Sequence, residues 1–436
     1  SLMGAALAER AGRHVSAAGD TDGDGVPDLL IGADLSSVTA SVSGAAYVVS
    51  GAASGALTLP AGGGARYGTA AGDWAGNAVG GGGDVDRDGL ADVIVGAPNT
   101  DERGANAGSA YVLTGPITGA GLLDDATAHL LGVDAGDAAG IAVSLAGDLT
   151  GDGTADAVVG AYYASIGGSY AGAAYVVAGP VTGTVGLESA DATVHGTSSV
   201  QFLGATVHSG TDFDGDGIDE LLIGAPSYAG SGVRSGGACI AYGPLSGTST
   251  LASADCLSGD AVSDGFGQAA VGLGDLNGDG HADLGVGAYG VDDGGSSAGA
   301  VYAFFGPITA GTAAADAPLQ LVGAAAYDIL GVYLPGAGDV DGDGFSDLAA
   351  GAANYDGGGS NAGGVFVVLG PATGTVACTD ADLIIEGTTG EKAGYTAAFV
   401  GDTDGDGTDD LLVGALDANL GGQTEGAAYL FVGGRP

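Results

Sequence analysis

Four aspartates, Asp20, Asp22, Asp24 and Asp28, crowd into nine residues of the stretch "GDTDGDGVPDLLIGA", Gly19 to Ala33. Like charges at this density call for a counter-charge. The spacing D-x-D-x-D-G-x-x-D offers side-chain oxygens at positions 1, 3, 5 and 9, and a backbone carbonyl at position 7. That is an oxygen cage for a hard cation, and calcium accepts about six to eight oxygens in flexible geometry. Glycine at position 6 permits the sharp turn. An EF-hand would need a bidentate Glu at position 12, where this stretch has Ile31. Magnesium fits less well, because it keeps several waters and the loop supplies many protein oxygens.

The motif returns six more times, its first Asp standing at 20, 84, 148, 212, 275, 339 and 402. The expected ligands are therefore Asp20, Asp22, Asp24 and Asp28; Asp84, Asp86, Asp88 and Asp92; Asp148, Thr150, Asp152 and Asp156; Asp212, Asp214, Asp216 and Glu220; Asp275, Asn277, Asp279 and Asp283; Asp339, Asp341, Asp343 and Asp347; and Asp402, Asp404, Asp406 and Asp410. The carbonyl position holds Val26, Leu90, Thr154, Ile218, His281, Phe345 and Thr408, a variety that a backbone ligand allows. Thr150 and Asn277 replace a carboxylate, so those two loops are expected to bind more weakly. Seven calcium ions would bring the formal charge from -45 to -31.

Repeats of 63 or 64 residues decide the architecture. A glycine precedes each first Asp by eight residues (Gly12, Gly76, Gly140 and onward), and a Gly-Ala pair follows it by twelve (Gly32, Gly96, Gly160 and onward). Later in each unit comes an apolar run ending in glycine, such as "GAAYVVSG" or "GSAYVLTG". Each unit reads as four short strands: A before the loop, B after it ("DLLIGA"), C ("AAYVV") and a less regular D ("AHLLG"). No sustained 3.6-residue period appears, so almost no helix is expected. Seven such units predict an all-β, seven-bladed β-propeller of four antiparallel strands per blade, residues 1–436 forming one domain. A solenoid, the alternative, would need capping units at its ends, and none is visible. The last unit stops without a D strand. Gly4 stands before Gly12 as Gly132 does before Gly140, so the N-terminal residues are expected to close the last blade.

Composition narrows the function. Lys392 is the only lysine, beside seven arginines, so the clustered basic groups that nucleic acid or an anionic membrane surface requires are missing. No run of 18 apolar residues is present, so no membrane insertion is expected. Three cysteines do not complete a disulfide framework. Cys239 and Cys256 fall near the open end of a C–D hairpin, where a cross-strand bond is plausible, leaving Cys378.

With these motifs in place the chain resembles the FG-GAP repeats of the integrin α-subunit head. "FGQAAVGLGDLNGDGHADLGVGA" (Phe266 to Ala288) and "GDVDRDGLADVIVGAP" (Gly83 to Pro98) carry the likeness, and it extends over the full length. The resemblance implies a seven-bladed propeller with calcium on one face. The chain departs from that pattern: Phe of Phe-Gly survives only at Phe266, Pro follows Gly-Ala only at Pro98 and Pro226, and all seven units keep a loop. A prokaryotic or free-standing relative is expected, without integrin-like subunit pairing.

Other chemistry is weak. "GSSAG" (Gly295 to Gly299) fits the nucleophile-elbow pattern around Ser297. Yet "GANAG", "GSYAG" and "GSNAG" hold the same place in other units, so a turn is expected and not a catalytic serine. Histidines 14, 129, 195, 208 and 281 fall at unrelated phases without zinc-ligand spacing. In an up-and-down blade the A–B and C–D loops share one face, leaving the other for ligand. Its B–C loops include Tyr162, Tyr163, Tyr228, Arg234, Tyr289 and Tyr355, and its D–A loops Tyr67, Trp74, Phe202 and Tyr327. Of these, Trp74, Tyr162, Tyr163, Tyr228, Tyr289 and Tyr355 are the expected contacts for a protein or carbohydrate ligand. The resulting expectation is a non-enzymatic, monomeric, extracellular or cell-surface, calcium-binding adhesion or ligand-binding module. The alternative is the propeller part of a secreted hydrolase or a lectin.

Overall fold

The computed structural model describes residues 1–436 apart from 6–7, 231–233, 420–423 and 435–436. Its strands form seven sheets in chain order, antiparallel within each blade, joined into a closed seven-bladed propeller. Strand A lies innermost and D outermost. Blade one has A at His14–Gly19, B at Asp28–Ala33, C at Ala45–Val49 and D at Gly63–Tyr67. Blade two has A at Ala78–Gly83, B at Asp92–Ala97, C at Ser109–Leu113 and D at Ala128–Leu131. Strands B and C are buried along their whole length in both, as strands packed on two faces must be. The helical content among the described residues is five three-residue 3₁₀ turns.

The ring closes as the sequence predicts. Leu2 and Met3 pair antiparallel with Ala428 and Ala427 of the last C strand, supplying the D strand of blade seven. An apolar cluster fills each gap between neighbouring blades. One of these joins Leu2, Val15 and Ile31 to Ala398, Leu412 and Ala428 across the closure.

Two features depart from four plain strands. In most blades the D strand is covered by a fifth, parallel strand from the C–D connection of the next blade. Gly119–Leu122 pairs with Gly64 to Tyr67, and Gly183–Gly186 with Ala128–Leu131. A 3₁₀ turn follows each of these segments and buries its first residue, Leu123 or Leu187. Blade six falls short of four strands: Leu348–Ala352, Gly364–Val368 and Leu383–Glu386 pair, while its A segment makes only the bridge Tyr333 to Gly351. Pro335 interrupts that segment and offers no amide to a ladder.

The Gly-Ala pairs mark where blades touch. A Cβ on Gly32, Gly96 or Gly351 would sit 2.0–2.1 Å from the carbonyl oxygen of Gly76, Gly140 or Gly394 in the next blade. A Cβ on Gly414 would meet the Gly12 oxygen at 2.4 Å, across the closure. Backbone therefore packs on backbone at these joints. Cys239 and Cys256, directly opposite in register on the C and D strands of blade four, form a disulfide, and Cys378 is free and buried.

Gly96→Ala is expected to lower stability by about 1–3 kcal/mol, the usual cost of overpacking a close joint. Urea unfolding checks this, with Gly121→Ala as control, where an added Cβ meets nothing closer than 3.5 Å and φ is not left-handed. An unchanged midpoint for Gly96→Ala would contradict the backbone-contact reading.

Candidate metal centres

Each aspartate loop turns between strands A and B by the same means. Position 6 takes a left-handed conformation, with φ from 84° to 93° at Gly25, Gly89, Gly153, Gly217, Gly280, Gly344 and Gly407. The carboxylate of position 1 gathers the loop amides. In the first loop Asp20 Oδ1 accepts from Gly23 N–H at 2.7 Å and Asp24 N–H at 3.1 Å, and Oδ2 accepts from Gly25 N–H at 2.9 Å. Asp22 Oδ1 accepts from Asp24 N–H and Asp24 Oδ1 from Val26 N–H, at 3.1 and 2.8 Å. The loop is thus preformed, and the carboxylates turn inward together.

Position 9 does something the spacing alone did not reveal. At Asp28, Asp92, Asp156, Asp283, Asp347 and Asp410 one oxygen accepts the amide of position 2. The other accepts the amide of the glycine 23 residues on, which ends strand C, all at 2.8–3.2 Å. These carboxylates are buried. Burial pushes Asp92, Asp156, Asp283 and Asp347 up to about 6, against the pull of the amides they accept. Burial likewise pushes Glu220 up to about 7, with Asp214 and Asp212 adding to the rise.

The side chains converge. Ligating oxygens of Asp212, Asp214, Asp216 and Glu220 lie within 4.8 Å of one another. So do those of Asp20, Asp22 and Asp28; of Asp84, Asp86 and Asp92; of Asp148, Asp152 and Asp156; and of Asp339, Asp341 and Asp343. These acidic clusters could hold metal ions. The fit to a hard cation is tested by Glu220. It is one methylene longer than Asp, and its Oε2 takes the Phe213 amide at 2.6 Å. Its buried Oε1 has no protein partner; the Gly243 amide approaches without reaching hydrogen-bond geometry. A buried carboxylate oxygen without a donor is costly, and a cation among the four carboxylates would satisfy it.

The expected ligand-face residues divide. Tyr162, Tyr163 and Tyr289 meet at a cavity of about 760 Å³ that runs along the seven A segments, with Phe202 beside them. Tyr162 and Tyr163 stack with centroids 3.8 Å apart. Among the described residues no aspartate or glutamate lines this cavity. Trp74 is exposed away from it. Tyr228 and Tyr355 pack inward against the blades, Tyr355 edge-on to Phe366 at 5.0 Å. Sequence spacing placed these two on the right loops but could not give their side-chain direction. Tyr170 at 49% and Tyr327 at 64% are more exposed than any of the six, of which Trp74 at 40% is the most open.

Ser297 sits in the expected turn. Its φ is 50° and its amide donates to Asp292 Oδ1 at 2.7 Å, as Asn106 does to Asp101 and Asn361 to Asp356. No helix follows it. His14 bridges the cavity through a 3.1 Å hydrogen bond between Nε2 and the Tyr333 hydroxyl; burial lowers its pKa to about 3.

The raised carboxylates set a pH dependence for the metal-free protein. A folded pKa above the unfolded value means the folded state holds its proton more tightly, so stability rises as pH falls. In excess chelator, the melting temperature is expected to rise between pH 7 and pH 5 as Asp92, Asp156, Asp283 and Asp347 protonate. Calorimetry at fixed ionic strength measures it, and a fall over that window would contradict the burial argument.

No described helix is long and apolar enough to cross a membrane. The FG-GAP repeat family matches residues 11–49, 75–113, 139–177, 203–238, 267–304 and 332–368, together just over half the chain. The seventh loop lies outside these stretches, yet Asp402 gathers the amides of Gly405, Asp406 and Gly407 in the same way. The chain is 39% identical over 163 residues to integrin alpha-7 of Rattus norvegicus, covering 37% of this chain and 13% of that one. It is 34% identical over 219 residues to integrin alpha-IIb of Homo sapiens, covering 48% and 19%. It thus spans less than a fifth of the length of these curated relatives. A solved structure of BBS1N in complex with ARL6DN aligns over 98% of this chain and 93% of that one, at 11% identity and a TM-score of 0.45. The repeats, the loops they carry and the closed seven-bladed ring agree: this chain belongs to the FG-GAP repeat family and is an integrin alpha-like propeller.

Proposed function

We propose that this propeller is a calcium-clamped extracellular binding module, with calcium in the seven aspartate loops and its ligand, a protein or carbohydrate, received on the opposite face. The observation that carries the metal reading is the Asp212, Asp214, Asp216 and Glu220 cluster, whose buried Glu220 oxygen lacks a donor. Calcium would neutralise the loops and bind carboxylates at positions 1, 3, 5 and 9 with the position-7 carbonyl. An adhesive role rests on the likeness to integrin alpha chains. A lectin reading has its own support: tyrosines ring an acid-free cavity in a chain of 53 acidic residues, a surface suited to a neutral, hydroxyl-rich ligand.

Calcium that binds only the folded state stabilises it by mass action. At ten times a dissociation constant of about 10⁻⁴–10⁻³ M, each site contributes about 1.4 kcal/mol and seven about 10 kcal/mol. That rivals the whole stability of a typical domain, about 5–15 kcal/mol. Calcium titration is expected to give close to seven ions per chain, and chelation a large fall in melting temperature at pH 7. Asp24→Ala should cost less than chelation, since it empties one loop. Fewer than four ions in excess calcium, or an unchanged melting curve after confirmed metal removal, would overturn the clamp. Glycan-array binding lost on Tyr163→Ala would favour the lectin over a protein ligand.

A further inference from the structure

Six of the seven loops have glycine at position 4; the second has Arg87, held at a left-handed φ of 64°. Its side chain leaves its own loop. Arg87 Nη2 donates to the Asp152 carbonyl at 2.7 Å and to the Thr154 hydroxyl, and lies 3.6 Å from Asp152 Oδ1. Asp152 and Thr154 are positions 5 and 7 of the third loop. That loop is also one of two without a carboxylate at position 3. Its Thr150 turns toward position 9, donating its amide to Asp156 Oδ2 at 2.9 Å and its hydroxyl to Oδ1 at 3.5 Å. The fifth loop makes the comparison. Asn277 there keeps an oxygen in the usual place, accepting the Asp279 amide at 2.9 Å, and the preceding loop has glycine, Gly215, where Arg87 would stand.

We propose that Arg87 is a resident cation for the third loop: a specificity-determining residue that supplies positive charge from the neighbouring blade and makes this the weakest calcium site of the seven. The inference rests on the calcium reading above. The guanidinium occupies the side of Asp152 that faces blade two and repels an incoming divalent ion. It also holds the loop's shape without one. Two changes of the same sign, a lost carboxylate and a gained arginine, meet in one loop. The left-handed backbone at a non-glycine residue, an unfavourable conformation, is offset by the contacts across the blades.

The experiment is a calcium titration against a competing chelator dye on the full chain, for wild type, Arg87→Gly, Arg87→Lys and Asp152→Ala. Wild type is expected to show a weakest single-ion class, and Asp152→Ala to lose that class alone. Arg87→Gly should tighten it about three- to tenfold, the scale of removing one partly screened like charge from a divalent ion. Arg87→Lys should keep it weak, and Arg87→Gly with Asp152→Ala should abolish the gain. An Arg87→Gly chain that folds, shown by its far-ultraviolet spectrum, yet binds every ion as wild type does, would overturn the proposal. So would a weakest class that survives Asp152→Ala. Absence of calcium binding in every chain would instead sink the calcium reading and the proposal with it.

Discussion

The buried carboxylate at position 9 is the constraint on which each blade depends. It accepts one amide from the loop between strands A and B and another from the glycine that ends strand C. Three strands are thereby fixed to one another at one end by a single side chain. A carboxylate is well suited to this, because it accepts on both oxygens and holds a charge that strengthens each bond. Burial, however, makes the charge expensive, as the pKa near 6 at Asp92 and Asp156 records. A positive charge among positions 1, 3 and 5 is the remedy that leaves both amide bonds in place. The same geometry that knits the blade thus creates the demand for a cation.

The loops are also stitched around the ring. The amides of Ala91, Asp219, Ser346 and Asp409, each at position 8, donate to the carbonyls of Asp20, Asp148, Asp275 and Asp339 in the preceding loop, at 2.8–3.1 Å. Asp219 and Asp409 return the contact by accepting the amides of Asp148 and Asp339. The position-1 aspartate that gathers its own loop is thereby tied through its backbone to the next. Toward the other end of the strands, the glycine joints place carbonyl against Cα with no side chain between. Both ends of the interface are governed by backbone, and the middle by small apolar side chains. This is why a chain of 92 glycines and few aromatics builds a firm ring.

The sequence made the periodic features legible because each is stated seven times. Loops, strands B and C, the Gly-Ala joint and the closure at Leu2 and Met3 all follow from residues that recur in phase. The terminal glycine of "GSAYVLTG" was visible as a marker, but its task, giving the Gly115 amide to Asp92, needs the third dimension. The parallel covering strands were missed because "GAGL" at Gly119–Leu122 lacks the β-branched residues that signal a strand. They pair across blades, so no local pattern encodes them. Loop membership places the Cα atoms of Tyr228 and Tyr355, but not whether a ring turns to solvent or, as that of Tyr355 does, packs edge-on against Phe366.

The distribution of charge completes the argument. The 26 loop carboxylates stand at one end of the strands, while among the described residues no acid lines the cavity along the A segments. Arg13, the one charged residue among its described lining, is paired with Asp34 at 3.4 Å and lies over the Tyr395 ring at 4.8 Å. Segregation of this kind is not required for folding, since the A strands of a propeller could carry carboxylates into a wet channel at little cost. Bound cations would mute the loop end, whereas nothing comparable is needed around the tyrosines. The two regions can then change independently. Substitutions among Tyr162, Tyr163 and Tyr289 would change the chemistry of that surface without touching a buried carboxylate, and changes in the loops would leave the tyrosine rim in place.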